Sequence, residues 1–569
     1  MTLTKQASIA VEAQNTTRIN NHHNRRILFL SLEFNYAPFS GNGVLCRSLV
    51  TGLLEDNNDN VLTTNQNGME IRVICAKPHP STPNLSQDIN VSHKSLEIWP
   101  VQLQNQSSSC HQWKRLDRLG PWKEFASALS CQDGSTSTDN NDNDNDDINL
   151  RECIEQFDPT DVVAVDWHGM LAWEAFCSTS TTATKHLTPP KVNICYYNFR
   201  VYSSSSWGNN KEQGDSSDNG DNTISNENQF YKEMEQLACR LADGIICLSK
   251  HDRLALHNLM MQQEDNGDDD EEVNKDETKI RKITILPPPL RGDVCNLARM
   301  MDDQQQLMDN KGGISDIFSM YLPKETRKAL DYVHQQQKQQ GISTIPKQRL
   351  FITCISRLSP EKSPHIFVNL LQQLGGVDFL RRYCLVPILC GARSVDSYAD
   401  EVIQSFKSVC STTDDYDDGS YWPCIVIDHH LGPKELAAIF SHTVLNVHPC
   451  LYDAYGMTLV ESAAFGVPSV VNCGGKVGAA ALLGENEGCV ALDLSGMEEE
   501  EITTAETTEM LKEMLLPRIQ HTDTDSPERS CSTHLDQIAK KARHQALGWD
   551  ELSCCRGLME KLNSLNNAD

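Results

Sequence analysis

Basic residues are scarce in this chain. Fifty Lys and Arg stand against 78 Asp and Glu in 569 residues, for a formal net charge of −28. That balance argues against a nucleic-acid partner, because binding phosphates needs a basic face. Long apolar runs are also missing. No stretch reaches the roughly 18 apolar residues of a transmembrane helix, and the N-terminus lacks the apolar core of a secretory signal. Residues 1–25 are polar, with several Thr, Arg and Lys. They read as a tail, with an organellar transit peptide as the open alternative. The cysteines form no regular framework, although there are 21 of them. Cys75, Cys195, Cys247, Cys354 and Cys390 fall inside apolar, strand-like runs. Free buried cysteine behaves this way in a reducing compartment, so a cytoplasmic location is expected. The chain has no Cys-x-x-Cys set for structural zinc. It has no G-x-x-x-x-G-K-[ST] loop either, and the GGKVG run at 474–478 lacks that spacing.

What is present is enough apolar material for sizeable cores, at 39% of residues. Much of the acidity sits in runs such as DNNDNDNDD (139–147) and EDNGDDDEEVNKDE (264–277). Such runs repel themselves and cannot build a core, so they read as surface insertions. Inserts of this kind are expected at about 131–148, 203–228 and 262–279, with a smaller one at 411–420.

Short apolar runs alternate with helical patterns along the chain. Strands are expected in 26–34, 71–76, 95–101, 162–167, 191–199, 243–249 and 282–289. After a Gln-rich, helix-prone stretch at 303–340, the pattern restarts with runs in 350–357, 383–391, 424–430, 443–449 and 468–473. Near-continuous apolar strands suit parallel sheets covered on both faces. The fold class is therefore α/β, with two Rossmann-like halves divided near 340. The expected organisation is a tail over 1–25, a first domain over 26–340, a second over 341–543 and a C-terminal helical piece over 544–569.

The segment HPCLYDAYGMTLVESAAFGVPSVV (448–471) carries the densest chemistry. A strand should end before it, and a helix should run over 456–465, closed by Gly466 and Pro468. The helix N-terminus then points at the carboxyl edge of a parallel sheet, where α/β folds bind ligands. The backbone amides of Gly456, Met457 and Thr458 would favour an anion such as a diphosphate. Gly456 lets the ligand approach closely. Glu461, a turn further on, could accept from vicinal hydroxyls, and Asp453 would face the other end of the ligand. Two carboxylates bracketing a phosphate-binding helix end suit a nucleotide sugar. A capped helix with solvent-facing acids is the bland alternative. In CISRLSPEKSPHIF (354–367), Arg357 ends a strand and Lys362 opens the next helix. Two cations there could stabilise a departing diphosphate, where the alternative is a surface Arg and Lys.

Together, SRLSPEKS and HPCLYDAYGMTLVESAAFGVP resemble the two signature segments of the retaining, GT-B-fold glycosyltransferases of family 4. That resemblance implies two Rossmann-like domains facing across a cleft, with a C-terminal helix crossing back to the first domain. It implies that Arg357 and Lys362 hold the donor diphosphate, that Glu461 holds the ribose and that Asp453 lies near the transferred sugar. Asp453 stands where the family usually has Glu, which shortens the reach by one methylene and bears on sugar choice. The glycine-rich turn expected after the next strand corresponds to NCGGKVGA (472–479). In the first half, Gly41 and Gly43 open a helix, similar to the family's glycine loop beneath the donor phosphates. VVAVDWHGM (162–170) resembles the strand-end segment whose histidine contacts the donor sugar, which makes His168 a candidate. A structural histidine is the alternative there. Arg200 and Tyr202 are candidates for lining the acceptor cleft. LGWDEL (547–552) is similar to the step into the family's crossover helix.

The implied activity is transfer of a hexosyl group from a nucleotide-diphosphate sugar, UDP- or GDP-linked, to an unidentified acceptor with retention of configuration. No cofactor and no metal are expected. No Asp-x-Asp occurs where a GT-A enzyme would hold manganese, and the DHH at 428–430 reads as a plain strand end. Two rivals stay open: a non-catalytic nucleotide-sugar-binding or scaffold protein of this fold, and a GT-B sugar-nucleotide epimerase acting on the donor alone.

Overall fold

The computed structural model describes residues 25–35, 41–59, 68–77, 93–103, 121–130, 149–178, 192–203, 221–262, 283–308, 318–339, 349–393, 395–410, 422–474, 476–495, 504–520 and 533–566. The expected tail and most of the expected inserts lie outside them.

Seven strands make the first sheet: β1 (Arg26–Ser31), β2 (Glu70–Lys77), β3 (Leu96–Gln102), β4 (Asp161–Val165), β5 (Asn193–Tyr197), β6 (Gly244–Cys247) and β7 (Ile283–Ile285). Their spatial order is β3-β2-β1-β4-β5-β6-β7, and all pairs are parallel. The second sheet holds β8 (Phe351–Ile355), β9 (Val386–Cys390), β10 (Ile425–Ile427), β11 (Thr443–His448), β12 (Ser469–Asn472) and β13 (Val490–Leu492). Its order is β10-β9-β8-β11-β12-β13, again parallel throughout. The central strands β4, β8, β9 and β11 are buried at every residue. Helices cover both faces, which is why these strands read as unbroken apolar runs rather than alternating ones. In each sheet the order reverses beside the first strand, so the crevice for a ligand falls at the carboxyl ends of the middle strands.

The division drawn near 340 falls after two helices that pack on the second body. The helix Gly292–Met308 lies against the helices Pro433–Ser441 and Met457–Ala464, and Lys324–Gln339 lies against β10. The C-terminal stretch is two helices, His534–Gly548 and Glu551–Asn566, where the periodicity from 544 to 565 predicts one. The break is at Trp549, whose carbonyl accepts from Leu290 N–H at 3.0 Å and whose indole donates to the Pro287 carbonyl at 3.2 Å. These bonds to the segment joining the two sheets take the place of helical ones. Before the break, His534–Gly548 packs on the Met457–Ala464 helix of the second body. After it, Glu551–Asn566 crosses back to the first. There the Cys555 thiol donates to the Leu49 carbonyl at 3.2 Å, and Asn193 donates to Asn566 at 2.8 Å. The buried Arg25–Asp161 pair, with Arg25 Nε 2.6 Å from Oδ2, ties β1 and β4 together beside that helix. No described helix is long and apolar enough to cross a membrane.

Candidate active site

β11 delivers the chain to the carboxyl edge of the second sheet, and the loop 449–456 turns it into the helix Met457–Ala464. Gly456 caps that helix with φ 87°, a left-handed conformation. A Cβ there would come within 3.3 Å of His448 Nε2 and of Val477 Cγ1. The left-handed backbone favours glycine, and a Cβ would press on both neighbours. The expected helix over 456–465 is confirmed to within its caps, and Gly466, at φ 66°, closes it with its N–H on the Ala463 carbonyl.

Asp453 is pinned by its backbone to the turn after β12. Its N–H donates to the Lys476 carbonyl and its carbonyl accepts from Gly478, both at 3.0 Å. Its carboxylate takes Lys362 Nζ at 2.6 Å. His448 Nε2 lies 3.2 Å from the same oxygen as an ion-pair contact, and neither ring nitrogen has a hydrogen-bond partner. Burial pushes the Asp453 carboxyl up, but Lys362 and His448 outweigh it, so it titrates well below the usual carboxylate range.

The sequence places Lys362 at the opening of a helix. It instead ends a 3-10 turn, Pro360–Lys362, and the helix begins at Pro364. Ser363 between them has φ 47°. This extra turn swings the ammonium toward Asp453. Arg357 lies just past β8 and pairs with Glu361 at 3.2 Å. Glu461 is buried, and Arg291 reaches it at 3.5 Å. Burial raises the Glu461 carboxyl, with Arg291 opposing.

A second cluster forms at the carboxyl edge of the first sheet. Asp166 follows β4 directly, at φ 62°, and is wholly buried. A non-glycine residue in that region is held there by its surroundings. Here they are the Trp167 N–H at 2.9 Å, Asn42 Nδ2 at 2.9 Å and the Tyr202 hydroxyl at 3.4 Å. Burial lifts its carboxyl to about 6 in spite of these donors. Asn42 sits between Gly41 and Gly43 at the start of the helix Gly41–Asp59. A Cβ on Gly41 would collide with the Phe199 ring. His168 Nδ1 is 3.9 Å from Asp166, its ring stacks on Trp167, and burial pushes its imidazole down to about 3.

Arg200 joins the two clusters. Its guanidinium lies 5.8 Å from the Tyr202 ring and 5.4 Å from that of Tyr452, the neighbour of Asp453. So the structure gathers Lys362, Asp453 and Gly456 on one side and Gly41, His168 and Tyr202 on the other, with Arg200 between them. No direct contact joins Arg357 to Asp453 among the described residues. Sequence reasoning passed over Asp166, Arg291, His448 and Tyr452. Asp166 and His448 lie inside the segments 162–170 and 448–471, but Arg291 gives no local signal. A cavity of about 450 Å³, lined by Asp293, Leu297, Pro433 and Lys434 among others, opens between the helices Gly292–Met308 and Pro433–Ser441. It lies beside Arg291 rather than over the carboxylates.

No family model and no curated protein matches the chain. Solved structures do. A sucrose-phosphate synthase from Thermosynechococcus elongatus is 10% identical with a TM-score of 0.54, covering 96% of this chain and 100% of its own. An E. coli trehalose-6-phosphate structure bound with UDP-2-fluoro glucose is 12% identical with a TM-score of 0.55, covering 94% and 98%. A UDP-forming α,α-trehalose-phosphate synthase from Burkholderia xenovorans, in complex with glucose-6-phosphate, is 11% identical with a TM-score of 0.55, covering 95% and 100%. At these identities the likeness is one of fold. The chain has the GT-B fold, and its structural neighbours are glycosyltransferases of that fold. They do not single out family 4.

Proposed function

We propose that the chain is a glycosyltransferase that moves a hexosyl group from a nucleotide-diphosphate sugar to a hydroxyl of a small acceptor. The observation that carries this reading is the Lys362–Asp453 pair at 2.6 Å, set at the mouth of the Met457–Ala464 helix and ahead of the buried Glu461. An ammonium has three protons to donate. One meets Asp453, and the others face a diphosphate together with the amides of Met457 and Thr458. Glu461, kept near a cation by Arg291, takes the ribose hydroxyls. Asp453 orders the transferred sugar, and the neutral imidazole of His168 serves it as a hydrogen-bond partner. Arg200 lines the acceptor side.

In the proposed reaction the bond from the anomeric carbon to the diphosphate oxygen breaks. The acceptor oxygen bonds to that carbon on the same face, and its proton passes to the departing diphosphate. Configuration is retained without a covalent intermediate. Lys362, Arg357 and the helix N-terminus stabilise the charge that develops on the leaving group. No resident metal is part of this scheme.

Similar structures hold a UDP-sugar analogue and glucose-6-phosphate, so UDP-glucose with a phosphorylated monosaccharide is the first pair to assay. The test is calorimetry with UDP, GDP, ADP and their sugar conjugates, with and without EDTA, followed by nucleotide release on adding acceptor. Binding of one nucleotide family and acceptor-dependent release support transfer. Binding with no release across acceptors favours the non-catalytic reading. Conversion of the donor sugar without acceptor favours the epimerase.

A further inference from the structure

The loop that carries Asp453 gathers three side chains of a different chemistry. His448, Cys450 and Asp453 each offer a ligand atom, and these atoms lie within 4.8 Å of one another. The sequence pattern is His-x-Cys-x-x-Asp. His448 is 2% exposed, and neither of its ring nitrogens has a hydrogen-bond partner. A buried imidazole without partners is costly unless something else meets it. Its Nε2 is 3.2 Å from Asp453 Oδ2, an ion-pair contact that does not count as a hydrogen bond. Two ligands each about 2.1 Å from a tetrahedral zinc ion stand roughly 3.4 Å apart, close to the 3.2 Å between Nε2 and Oδ2, so the spacing suits a shared metal. Cys450 adds a sulfur, which selects a thiophilic ion over magnesium or calcium. Three protein ligands leave a fourth corner open.

We propose that His448, Cys450 and Asp453 form a binding site for zinc-like divalent cations, and that an ion there competes with Lys362. The ammonium of Lys362 already lies 2.6 Å from Asp453 Oδ2, the oxygen nearest His448. An ion on that oxygen displaces Lys362. On binding, the Cys450 thiol loses its proton to solvent, and its hydrogen bonds to the Tyr452 carbonyl at 2.7 Å and the Glu361 carbonyl at 3.2 Å are broken. The ion forms no part of the transfer reaction. It blocks the reaction, because Lys362 leaves the diphosphate position. The inhibition rests on the function proposed above, whereas the cation site does not.

Cobalt(II) is the probe, added to the full-length protein in the absence of any nucleotide. One equivalent should give the near-ultraviolet absorption of a thiolate bound to cobalt, and zinc should erase it. Cys450→Ser should lose that absorption and bind zinc at least tenfold more weakly. Lys362→Gln should bind zinc at least tenfold more tightly, because it removes the competing charge. An absorption that survives in Cys450→Ser assigns the ion to other cysteines and overturns the site. Zinc affinity unchanged or weakened in Lys362→Gln overturns the competition. Once a turnover assay exists, zinc should inhibit the native protein, and Cys450→Ser should keep its activity in zinc. Zinc activation would sink the inhibitory role. Cobalt binding without turnover on any donor leaves the cation site standing and counts against the transferase reading alone.

Discussion

The Tyr452 hydroxyl donates to Asp252 Oδ1 at 2.9 Å, and this bond joins the two sheets beside the candidate site. Tyr452 precedes Asp453 on the loop after β11. Asp252 sits in the first turn of the helix Lys250–Met261, capped by Ser249 after β6. Asp252 is fully buried, and burial raises its carboxyl against the Ser249 and Tyr452 hydroxyls. Tyr452→Phe leaves that carboxyl one donor short. The expected cost is about 1–2 kcal/mol of stability in urea unfolding. Asp252→Asn alone and the double variant complete a cycle. A coupling energy near zero would remove the bond as a link between the halves.

The two cations predicted to hold the diphosphate make a sharper test. Arg357→Ala and Lys362→Ala should each weaken UDP or GDP binding by about 1.5–3 kcal/mol, the range for a charged hydrogen bond. Neither should change affinity for the matching nucleoside, which has no phosphate. Calorimetry of the pair of ligands separates these effects. Equal losses for nucleoside and diphosphate would indicate a damaged fold instead.

Gly456→Ala combines two penalties. The left-handed backbone costs an L-residue about 1–2 kcal/mol. The new methyl also presses on His448 and Val477 at 3.3 Å. A stability loss of about 1–3 kcal/mol is expected, with weaker diphosphate binding as the helix start shifts. Thermal unfolding with and without nucleotide reads both. Unchanged binding in a destabilised variant would mean that the ligand does not approach this turn.

All twelve expected strands are present: those buried on both faces advertise themselves as apolar runs, and the half-exposed edge strand β3 still carries Leu96, Ile98, Trp99 and Val101. The thirteenth, Val490–Leu492, pairs only with β12 and is no shorter than β7 or β10; its apolar run CVAL (489–492) is legible but is not among the expected strands. Trp549 was visible as a landmark, but the helix break there depends on Leu290 and Pro287, far away in sequence. The site shows the same division. Lys362, Asp453, Gly456 and Glu461 fall in two short segments with recognisable order. Arg291 reaches Glu461 across 170 positions, and Asn42 reaches Asp166 across 124, so only the folded chain shows them. His448 and Cys450 lie in the segment 448–471, yet alternation along a strand end gives no reason to pair them with Asp453.

Glu235 gives the pH prediction. It is wholly buried in the helix Asp221–Leu241 and accepts from Tyr202 N–H at 2.5 Å and the Ser203 hydroxyl at 2.6 Å. Burial nonetheless lifts its carboxyl from 4.5 to about 7. Above pH 7 the folded protein therefore bears the full cost of a buried charge. As pH falls from 7 toward 4.5, the folded state takes up a proton that the unfolded state does not, and stability rises. Below 4.5 both states are protonated and the effect ends. Glu235→Gln has no such proton. Moving from pH 8 to pH 5 should therefore stabilise the native protein relative to Glu235→Gln by about 2–3 kcal/mol. Urea midpoints for the two proteins across that range measure it; both carry Asp166, whose charge repels Glu235, so the difference includes that coupling. A difference that stays flat would mean that the Tyr202 and Ser203 donors hold Glu235 ionised throughout, and that the loop 200–203 is anchored by a charge rather than by a neutral acid.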